Sequence, residues 1–361
     1  MEVVQSVKFK YEPNDVVKKL LEDFKEMVNL CLNIAIKNKA TSLARIHSLA
    51  YQELKQRFDY HSQYYISAIR VAQSILKSWK RRGREPILKK SMIRFSPLLT
   101  KLEGERLRIA LRPREFIYLN LVVGEYQRKF LGKPHGMIIM AEEYIIIPFK
   151  TEVEELDCDK AVALDINETN ITAVTSDGRV QVFDTKEVKR LHDCYFEIRR
   201  EIQGKYKGNA KKRGLAKYRG REKRRVRDFL HKMTRKIVDI FKGYTIIMED
   251  LRNLRRSVDY GRKLNRRLHS WNFKLAQFFI DYKAKLNGSK VIYVDPIGTS
   301  KNCSVCGGII SPKDKACPRC GINRHVNACL NMLKMWGATG SPDTPHNDMS
   351  GEVDFFDTLI I

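Results

Sequence analysis

The 361-residue sequence predicts a multidomain protein of the α+β class. Three features lead to this class: a short alternating run at the start, a long block with helical period, and a return to short alternating runs before residue 150. We interpret residues 1–12 and 84–157 as a small β-barrel that is interrupted by a helical insertion over residues 13–83. Residues 158–361 are predicted to form a second domain, of the α/β type.

The first domain begins with Val3–Tyr11, which alternates apolar and polar residues as a half-buried strand does. From Asn14 apolar residues recur at steps of three and four, and a second helix of this kind runs from about Ser62 to Lys80. Gly83 and Pro86 then break the helical pattern. The order of a strand, a helical block and further strands predicts an interrupted barrel. The later strand-like runs are Met92–Phe95, Arg106–Ala110, Ile117–Val122, Met137–Met140 and Tyr144–Pro148.

The second domain follows an acidic linker, Thr151–Asp159. It opens with three short strands in AVALDINETNITAVTSDGRVQVFD, with a turn at Ser176–Gly178, and this meander is typical of the start of an RNase H-type sheet. Long helices follow, then a buried strand at Tyr244–Asp250 and another at Lys290–Pro296. An amphipathic helix at Val326–Trp336 ends the pattern. The opening meander and this order of elements together predict an RNase H-like α/β domain.

The formal net charge of +26 exceeds what solubility requires and predicts a polyanionic partner. Lysine and arginine gain affinity for nucleic acid by releasing counterions from phosphates. A membrane surface is the other large polyanion, but no apolar run approaches the roughly 18 residues of a spanning helix, and no lipidation motif is present. The first ten residues do not resemble a secretory signal. We therefore expect a nucleic-acid-binding protein of the cytoplasm that associates with the nucleoid.

A basic helical arm is predicted within residues 186–241. Between Arg199 and Arg227 there are fourteen lysines and arginines against two glutamates, with tyrosines and glycines interspersed. A solvated helical hairpin is the ordinary explanation of such a run. Because these charges cannot neutralise one another by pairing along a helix, we favour contact with nucleic-acid phosphates. The candidate contacts are Lys211, Lys212, Arg213, Arg224 and Arg225.

Four of the eight cysteines form the strongest local motif, within residues 300–322. The pairs Cys303-x2-Cys306 and Cys317-x2-Cys320 are separated by ten residues, and a glycine follows each pair. Two such pairs supply four thiolates to one tetrahedral Zn²⁺ site, which is structural because no coordination position stays open. The other cysteines are scattered, so we expect a reducing compartment rather than a disulfide scaffold.

Asp165 and Glu249 each end an apolar strand. In an RNase H-type sheet, neighbouring strand ends can bring two carboxylates within a few ångströms of each other. This is unfavourable unless divalent cations neutralise them, and Mg²⁺ pairs of this kind drive phosphodiester cleavage. Asp295, at the end of the next strand, is a weaker candidate. Taken singly, either acid can be explained as an ordinary strand-end carboxylate. Together with the meander, the basic arm and the cysteine pairs, the two acids favour a metal site.

Six stretches of the sequence, in their order and spacing, resemble one known family. They are ALDINETN around Asp165, IIMEDLRNL around Glu249, LNRRLHSWNF (Leu264–Phe273), VDPIGTSKNCSVCGG (Val294–Gly308), CPRCG (Cys317–Gly321) and HVNACLNML (His325–Leu333). The chain resembles the TnpB (OrfB) proteins of insertion sequences, which are compact relatives of type V CRISPR nucleases. The resemblance covers nearly the whole chain, and the forms DINETN and HSWNF look most like archaeal members.

The resemblance implies RNA-guided cleavage of DNA. In this family a transposon-end RNA is the guide, the N-terminal region reads a short motif beside the double-stranded target, and a RuvC domain with a zinc ribbon cuts both strands. Asp165 and Glu249 would then bind Mg²⁺ or Mn²⁺, and a monomer on RNA is expected. Helical spacing and polarity single out candidate nucleic-acid contacts on the second predicted helix. These are Gln63, Arg70, Gln73 and Lys77, and Arg266 and Arg267 in the LNRR stretch are further candidates.

One segment departs from the family pattern. The family's third catalytic carboxylate lies in a segment that typically reads DRDxNA, and here Asn323–Ala328 places His325 at that position. A neutral imidazole can bind a divalent ion, and it suits Mn²⁺ better than Mg²⁺. Alternatively, the site is inactive and the protein is an RNA-guided DNA-binding protein, a repressor or a relic. A substitute acid from the tail, Asp343 or Asp348, is a third alternative. We favour an endonuclease with a degenerate third ligand position.

Overall fold

The computed structural model describes residues 1–79, 83, 85–251, 261 and 272–338. They form two compact units, one of Glu2–Thr151 and one of Met1 with the residues from Glu152 onward. No helix in the described ranges is long and apolar enough to cross a membrane. Four of the candidate site residues named above lie outside the described residues, namely Arg266, Arg267, Asp343 and Asp348.

The first unit contains a seven-stranded sheet and a layer of helices. Its strands are β1 (Glu2–Tyr11), β2 (Met92–Arg94), β3 (Thr100–Glu103), β4 (Arg106–Arg112), β5 (Glu115–Val122), β6 (Ile139–Ala141) and β7 (Tyr144–Glu152). Its helices are α1 (Asp15–Lys37), α2 (Leu43–Arg57), α3 (Ser62–Trp79) and α4 (Glu125–Arg128), and Pro97–Leu99 forms a 3₁₀ turn. The strand order is β2-β6-β7-β1-β5-β4-β3.

The sheet is open, so the predicted small β-barrel is wrong. β2 and β3 are its edge strands, and no ladder joins them within the described residues. They span three and four residues and are separated by the 3₁₀ turn at Pro97–Leu99, which leaves little strand with which to pair. Alternating apolar residues mark strands, but they do not encode whether two short edge strands meet.

Helices α1, α2 and α3 share one hydrophobic core with this sheet. α1 begins after the N-cap Asn14, whose side chain accepts a hydrogen bond from the backbone N–H of Val17 (2.9 Å). α3 is tied to the strands by the hydroxyl of Tyr64, which donates to the carbonyl of Ala110 (2.9 Å). The helical segment therefore packs as a layer on the sheet. The sequence pattern does not separate α2, whose N-cap is Ser42.

The second unit contains a five-stranded sheet and five helices in its described part. Its strands are β8 (Ala161–Ile166), β9 (Asn170–Thr175), β10 (Val180–Asp184), β11 (Thr245–Glu249) and β12 (Val291–Val294). Its helices are α5 (Lys186–Lys205), α6 (Gly208–Tyr218), α7 (Arg221–Ile240), α8 (Phe273–Leu286) and α9 (Arg324–Ala338). The predicted three-stranded meander and the two later strands are confirmed.

The strand order of this second sheet is β10-β9-β8-β11-β12. β8, β9 and β10 are antiparallel, whereas β11 runs parallel to both β8 and β12. Residues of α5, α7 and α8 cover one face, including Ile237 and Phe279. α9 covers the other face with Cys329 and Met332. The central strand β8 is therefore buried along all six of its residues.

Candidate functional site

Two carboxylates lie side by side at the carboxyl ends of β8 and β11. These strands are parallel and pair Leu164 with Met248, so Asp165 and Glu249 occupy the next position along each strand. Side chains at paired positions of neighbouring strands point to the same face of a sheet. The structure therefore brings together the two acids that were predicted to lie at neighbouring strand ends.

Asp165 is contacted from two sides at one carboxylate oxygen. Its Oδ2 accepts a hydrogen bond from Nδ2 of Asn167 (2.9 Å) and lies 2.8 Å from Nδ1 of His325. Asn167 comes from the turn after β8, and His325 from the first turn of α9. The Asp165 side chain is only 12% exposed, so these two contacts replace much of the water that an exposed carboxylate would bind.

Glu249 has a raised pKa. Burial raises the pKa of its carboxyl, the hydrogen bond that Thr299 Oγ1 donates to Oε1 (2.5 Å) opposes this effect, and the negative charge of Asp165 raises the pKa further. A cation between the two carboxylates would relieve both the burial cost and the repulsion. The sequence does not single out Thr299, because a lone threonine after a strand has no distinctive spacing.

His325 contacts Asp165 through Nδ1, the ring nitrogen nearer to the backbone. Either a neutral ring donates its Nδ1–H to the carboxylate, or a protonated ring forms an ion pair with it. In both cases a proton occupies Nδ1, so only Nε2 can bind a metal while this contact persists. A histidine at position 325, in place of the family's carboxylate, therefore changes both the charge of the site and the set of atoms that can bind a metal.

Within the described ranges, only the cysteines bring three or more potential metal ligands within 4.8 Å of one another. Asp165, Glu249 and His325 do not form so compact a group. Mg²⁺ is commonly bound through one or two carboxylates together with waters and substrate phosphates. The two acids fit a site of that kind.

The four predicted zinc ligands converge on one point. The Sγ atoms of Cys303 and Cys320 are 3.4 Å apart, and those of Cys306 and Cys317 are 3.5 Å apart. Four thiolates about 2.3 Å from a tetrahedral Zn²⁺ would lie roughly 3.8 Å from one another. The cysteine cluster therefore fits a four-coordinate cation of this size.

Each pair of cysteines forms the same turn. The N–H of Gly307 donates to the carbonyl of Cys303 (3.1 Å), and the N–H of Gly321 donates to the carbonyl of Cys317 (2.9 Å). Both glycines have positive φ, 70° and 74°, a conformation in which a side chain is strained. Hydrogen bonding from the backbone N–H of Cys306 lowers the pKa of Cys303 to about 6, which favours the thiolate that a metal requires.

The predicted basic arm consists of α5, α6 and α7. Glu222, one of the two glutamates between Arg199 and Arg227, is engaged by Arg199 and by Nδ1 of His192 (2.6 Å). It is therefore not free to neutralise the candidate phosphate contacts. Of these, Lys212, Arg213, Arg224 and Arg225 are exposed and Lys211 is half-buried.

Asp295 and the four candidates on α3 are the other predicted positions within the described residues. Asp295 is exposed, and its Oδ1 accepts a hydrogen bond from the N–H of Ile297 (2.9 Å), which is an ordinary turn-stabilising role. The four candidates on α3 belong to the first unit, where Arg70 and Lys77 are exposed and Gln63 and Gln73 are half-buried.

Three family models match successive parts of the chain. Residues 147–257 match the family described as "Probable transposase" (OrfB_IS605), residues 273–332 the Cas12f1-like TNB domain, and residues 20–110 the MJ0013 family. The TnpB-like protein MJ0751 of Methanocaldococcus jannaschii is 38% identical over 273 residues, which are 70% of this chain and 98% of the relative. The chain belongs to the TnpB-like family. The predicted resemblance is thus confirmed, and this relative is archaeal.

This TnpB-like chain is also similar to CRISPR-associated nucleases. It is 39% identical over 153 residues to the CRISPR-associated endodeoxyribonuclease Cas12f1 of Sulfoacidibacillus thermotolerans, which is 36% of this chain and 34% of the relative. The cryo-EM structure of a Cas12f1–sgRNA–target DNA complex matches with a TM-score of 0.58 and 16% identity, covering 88% of this chain and 82% of that one. At this level of identity the likeness shows a shared fold.

Proposed function

We propose that this TnpB-like chain is an RNA-guided, metal-dependent DNA endonuclease. The observation that carries the proposal is the placement of Asp165 and Glu249 on adjacent parallel strands, with the pKa of Glu249 raised by burial and by its neighbour's charge. The order and directions of the five strands agree with an RNase H-like RuvC domain. Similarity to a CRISPR-associated endodeoxyribonuclease supports the same activity.

Asp165 and Glu249 are the residues that would hold Mg²⁺ or Mn²⁺, which activates water and stabilises charge on the phosphodiester when bound. The strand backbone fixes the two carboxylates at one edge of the sheet. Asn167 and Thr299 orient them, because each donates a hydrogen bond to one carboxylate. These two hydrogen bonds disfavour side-chain rotamers of Asp165 and Glu249 that would move the carboxylates apart.

The proposed partners are a guide RNA from the transposon end and a double-stranded DNA target with a short flanking motif. Base pairing with the guide would supply sequence specificity, and the protein would read backbone geometry. The exposed cations of the basic arm support phosphate contact, which positions a nucleic acid without reading its sequence. The α3 candidates would face the flanking motif or the heteroduplex, and a Zn²⁺ in the cysteine cluster would be structural.

A nuclease-inactive RNA-guided DNA-binding protein is the second candidate function. The contact between His325 and Asp165 favours it, since a proton held there competes with a cation for the same carboxylate oxygen. The nuclease is still the better-supported function, because Nε2 of His325 can serve as a ligand and imidazole is compatible with Mn²⁺. The two functions differ in a simple way: both require RNA-dependent DNA binding, and only one requires cutting.

Plasmid cleavage in Mg²⁺ and in Mn²⁺ separates the two functions. The purified chain with its guide RNA should cut matched plasmid, and faster in Mn²⁺ than in Mg²⁺. His325→Asp should raise cutting in Mg²⁺, because it restores a carboxylate and removes the competing proton. RNA-dependent DNA binding without cutting in either ion, together with a large gain in His325→Asp, would establish the inactive binding protein instead.

A further inference from the structure

One side of α9 binds the loop that carries the first cysteine pair, which we define as the first cysteine loop, residues 299–311. Four polar residues of α9 are spaced three, four and three positions apart, which places them on one face of the helix. This face contacts the first cysteine loop. Each of the four residues donates to at least one backbone oxygen of the loop. The contacts are Arg324 to Ser311 (2.7 Å), Asn327 to Asn302 (3.0 Å), Asn331 to Thr299 (2.7 Å) and to Asn302 (2.8 Å), and Lys334 to Ser304 (2.6 Å).

The other side of α9 packs on the strands that carry the two acids. Cys329 and Met332 are fully buried there with Ala163 of β8 and Ile247 of β11. Each of these two strand residues lies two positions before a carboxylate, on the same face of the sheet. α9 therefore connects the first cysteine loop to the part of the sheet where Asp165 and Glu249 lie.

Asn331 makes the most direct link between the two sites. Its Nδ2 donates to the carbonyl of Asn302, the residue before Cys303, and also to the carbonyl of Thr299. The hydroxyl of Thr299 in turn donates to Oε1 of Glu249 (2.5 Å). Thr299 is 1% exposed, so water cannot readily replace these contacts.

The peptide on either side of Cys303 is held by a second buried amide. Asn327 donates to the carbonyl of Asn302 and accepts a hydrogen bond from the N–H of Ser304 (2.6 Å). Asn327 is 0% exposed, so both of its contacts are made inside the protein. The position of Cys303 is therefore coupled to α9 through hydrogen bonds that are costly to break.

We infer that Asn331 is a positioning residue through which the four-cysteine site orients Glu249. Cys303, Cys306, Cys317 and Cys320 would hold a cation that, when bound, would restrain the neighbouring peptide at Asn302. The amide of Asn331 joins that peptide to Thr299. Thr299 then directs its hydroxyl to the Glu249 carboxylate. The inference rests on the proposed function only in taking Glu249 as a metal ligand.

Mn²⁺ titration of the zinc-loaded chain, followed by electron paramagnetic resonance, tests this inference without a cleavage assay. Asn331→Leu removes the amide donor at similar side-chain volume, and Thr299→Val removes the hydroxyl. Both variants should weaken the Mn²⁺ binding that depends on Asp165 by about tenfold or more, as loss of outer-shell support does at other metal sites. Their zinc content should stay equal to that of the natural chain.

Lys334→Met is the matched control. It removes a donor to the same loop, but one that reaches Ser304 and not Thr299. Its Mn²⁺ affinity should be unchanged. An equal loss of affinity in the control, or no loss in Asn331→Leu and Thr299→Val, would overturn the inference.

Amide hydrogen exchange separates failure of the inference from failure of the proposed function. Removal of zinc with a chelator should speed exchange at Glu249 and Asp250 in the natural chain, and should have little further effect in Asn331→Leu. Unchanged exchange at both positions after zinc removal would overturn the coupling. If the coupling is observed but the natural chain neither binds Mn²⁺ through Asp165 nor cuts DNA, the proposed function fails and the coupling stands.

Discussion

Asp165 and Glu249 are contacted by different hydrogen-bond donors. Asn167 and His325 both reach Oδ2 of Asp165. The hydrogen bond from Thr299 to Glu249 does not offset burial and the charge of Asp165, so the pKa of Glu249 remains raised. Ionisation of Glu249 therefore costs the fold free energy when no cation is bound.

Glu249→Gln should stabilise the chain against unfolding when no divalent cation is added. A carboxyl whose pKa is raised in the folded state favours folding below its unfolded pKa, and that contribution is lost as pH rises through the folded pKa. The gain in Glu249→Gln should therefore be clear at about pH 8 and vanish at about pH 4. The amide retains an oxygen that can accept from Thr299.

Thermal unfolding as a function of pH measures this effect. The exposed Glu201 offers a matched control, and Glu201→Gln should leave the profile unchanged. A Glu249→Gln variant with the same stability as the natural chain at every pH would contradict the account of this site.

At the scale of elements, the two cysteine turns owe their shape to the glycine that ends each of them. Gly307 has a φ of 70°, and a β-carbon added there would meet no atom within 4 Å. Any cost of a side chain at this position must therefore come from the backbone conformation and not from a steric clash with a neighbour. A substitution at Gly307 therefore tests whether the positive φ of the turn requires glycine.

Gly307→Ala should lower the free energy of unfolding of the zinc-loaded chain by about 1–2 kcal/mol, the cost of the left-handed conformation for a residue with a side chain. Gly204→Ala in α5 is the control, because it too meets no atom within 4 Å and has no positive φ. That substitution should not destabilise the chain. Denaturant titration of both variants checks the prediction, and equal stability of the two would argue against the strained turn.

The basic arm is the element whose function depends most on salt. Lys211, Lys212 and Arg213 lie together on α6, and changing all three to alanine should weaken RNA binding. The slope of log affinity against log salt should fall by up to about 2, because each phosphate contact with a single strand contributes about 0.7.

Filter binding over a range of salt concentrations measures that slope. Arg190→Ala is a suitable control, since Arg190 lies on the same arm but is paired through two hydrogen bonds with Glu187 (2.6 and 2.7 Å). An unchanged slope in the triple variant would show that the run is only a solvated helical surface.

At the scale of the whole molecule, sequence patterns predict local features well and long-range ones poorly. The alternation of Val3–Tyr11 corresponds to β1, and the spacing of the four cysteines corresponds to a converged cluster. Both patterns involve residues that lie close together in the sequence. The position of Asp165 at the end of a strand is likewise local, since the apolar run before it marks a buried central strand.

Features that depend on tertiary packing are not encoded in such patterns. The hydrogen bond of Thr299 to Glu249 joins residues 50 positions apart, and the contact of His325 with Asp165 joins residues 160 positions apart. Neither pair has a periodic signal. The barrel prediction fails for the same reason, because closure requires two distant edge strands to meet, and here they are too short and remain apart.

The central claim is that two acids at neighbouring strand ends hold the cations for DNA cleavage. It is tested most directly by measuring RNA-dependent DNA binding and plasmid cutting in parallel for Asp165→Ala and the natural chain. We predict that cutting is abolished in Asp165→Ala while the affinity for matched DNA is unchanged. Loss of both activities together would contradict the claim, because it would mean that Asp165 supports the fold and not the chemistry.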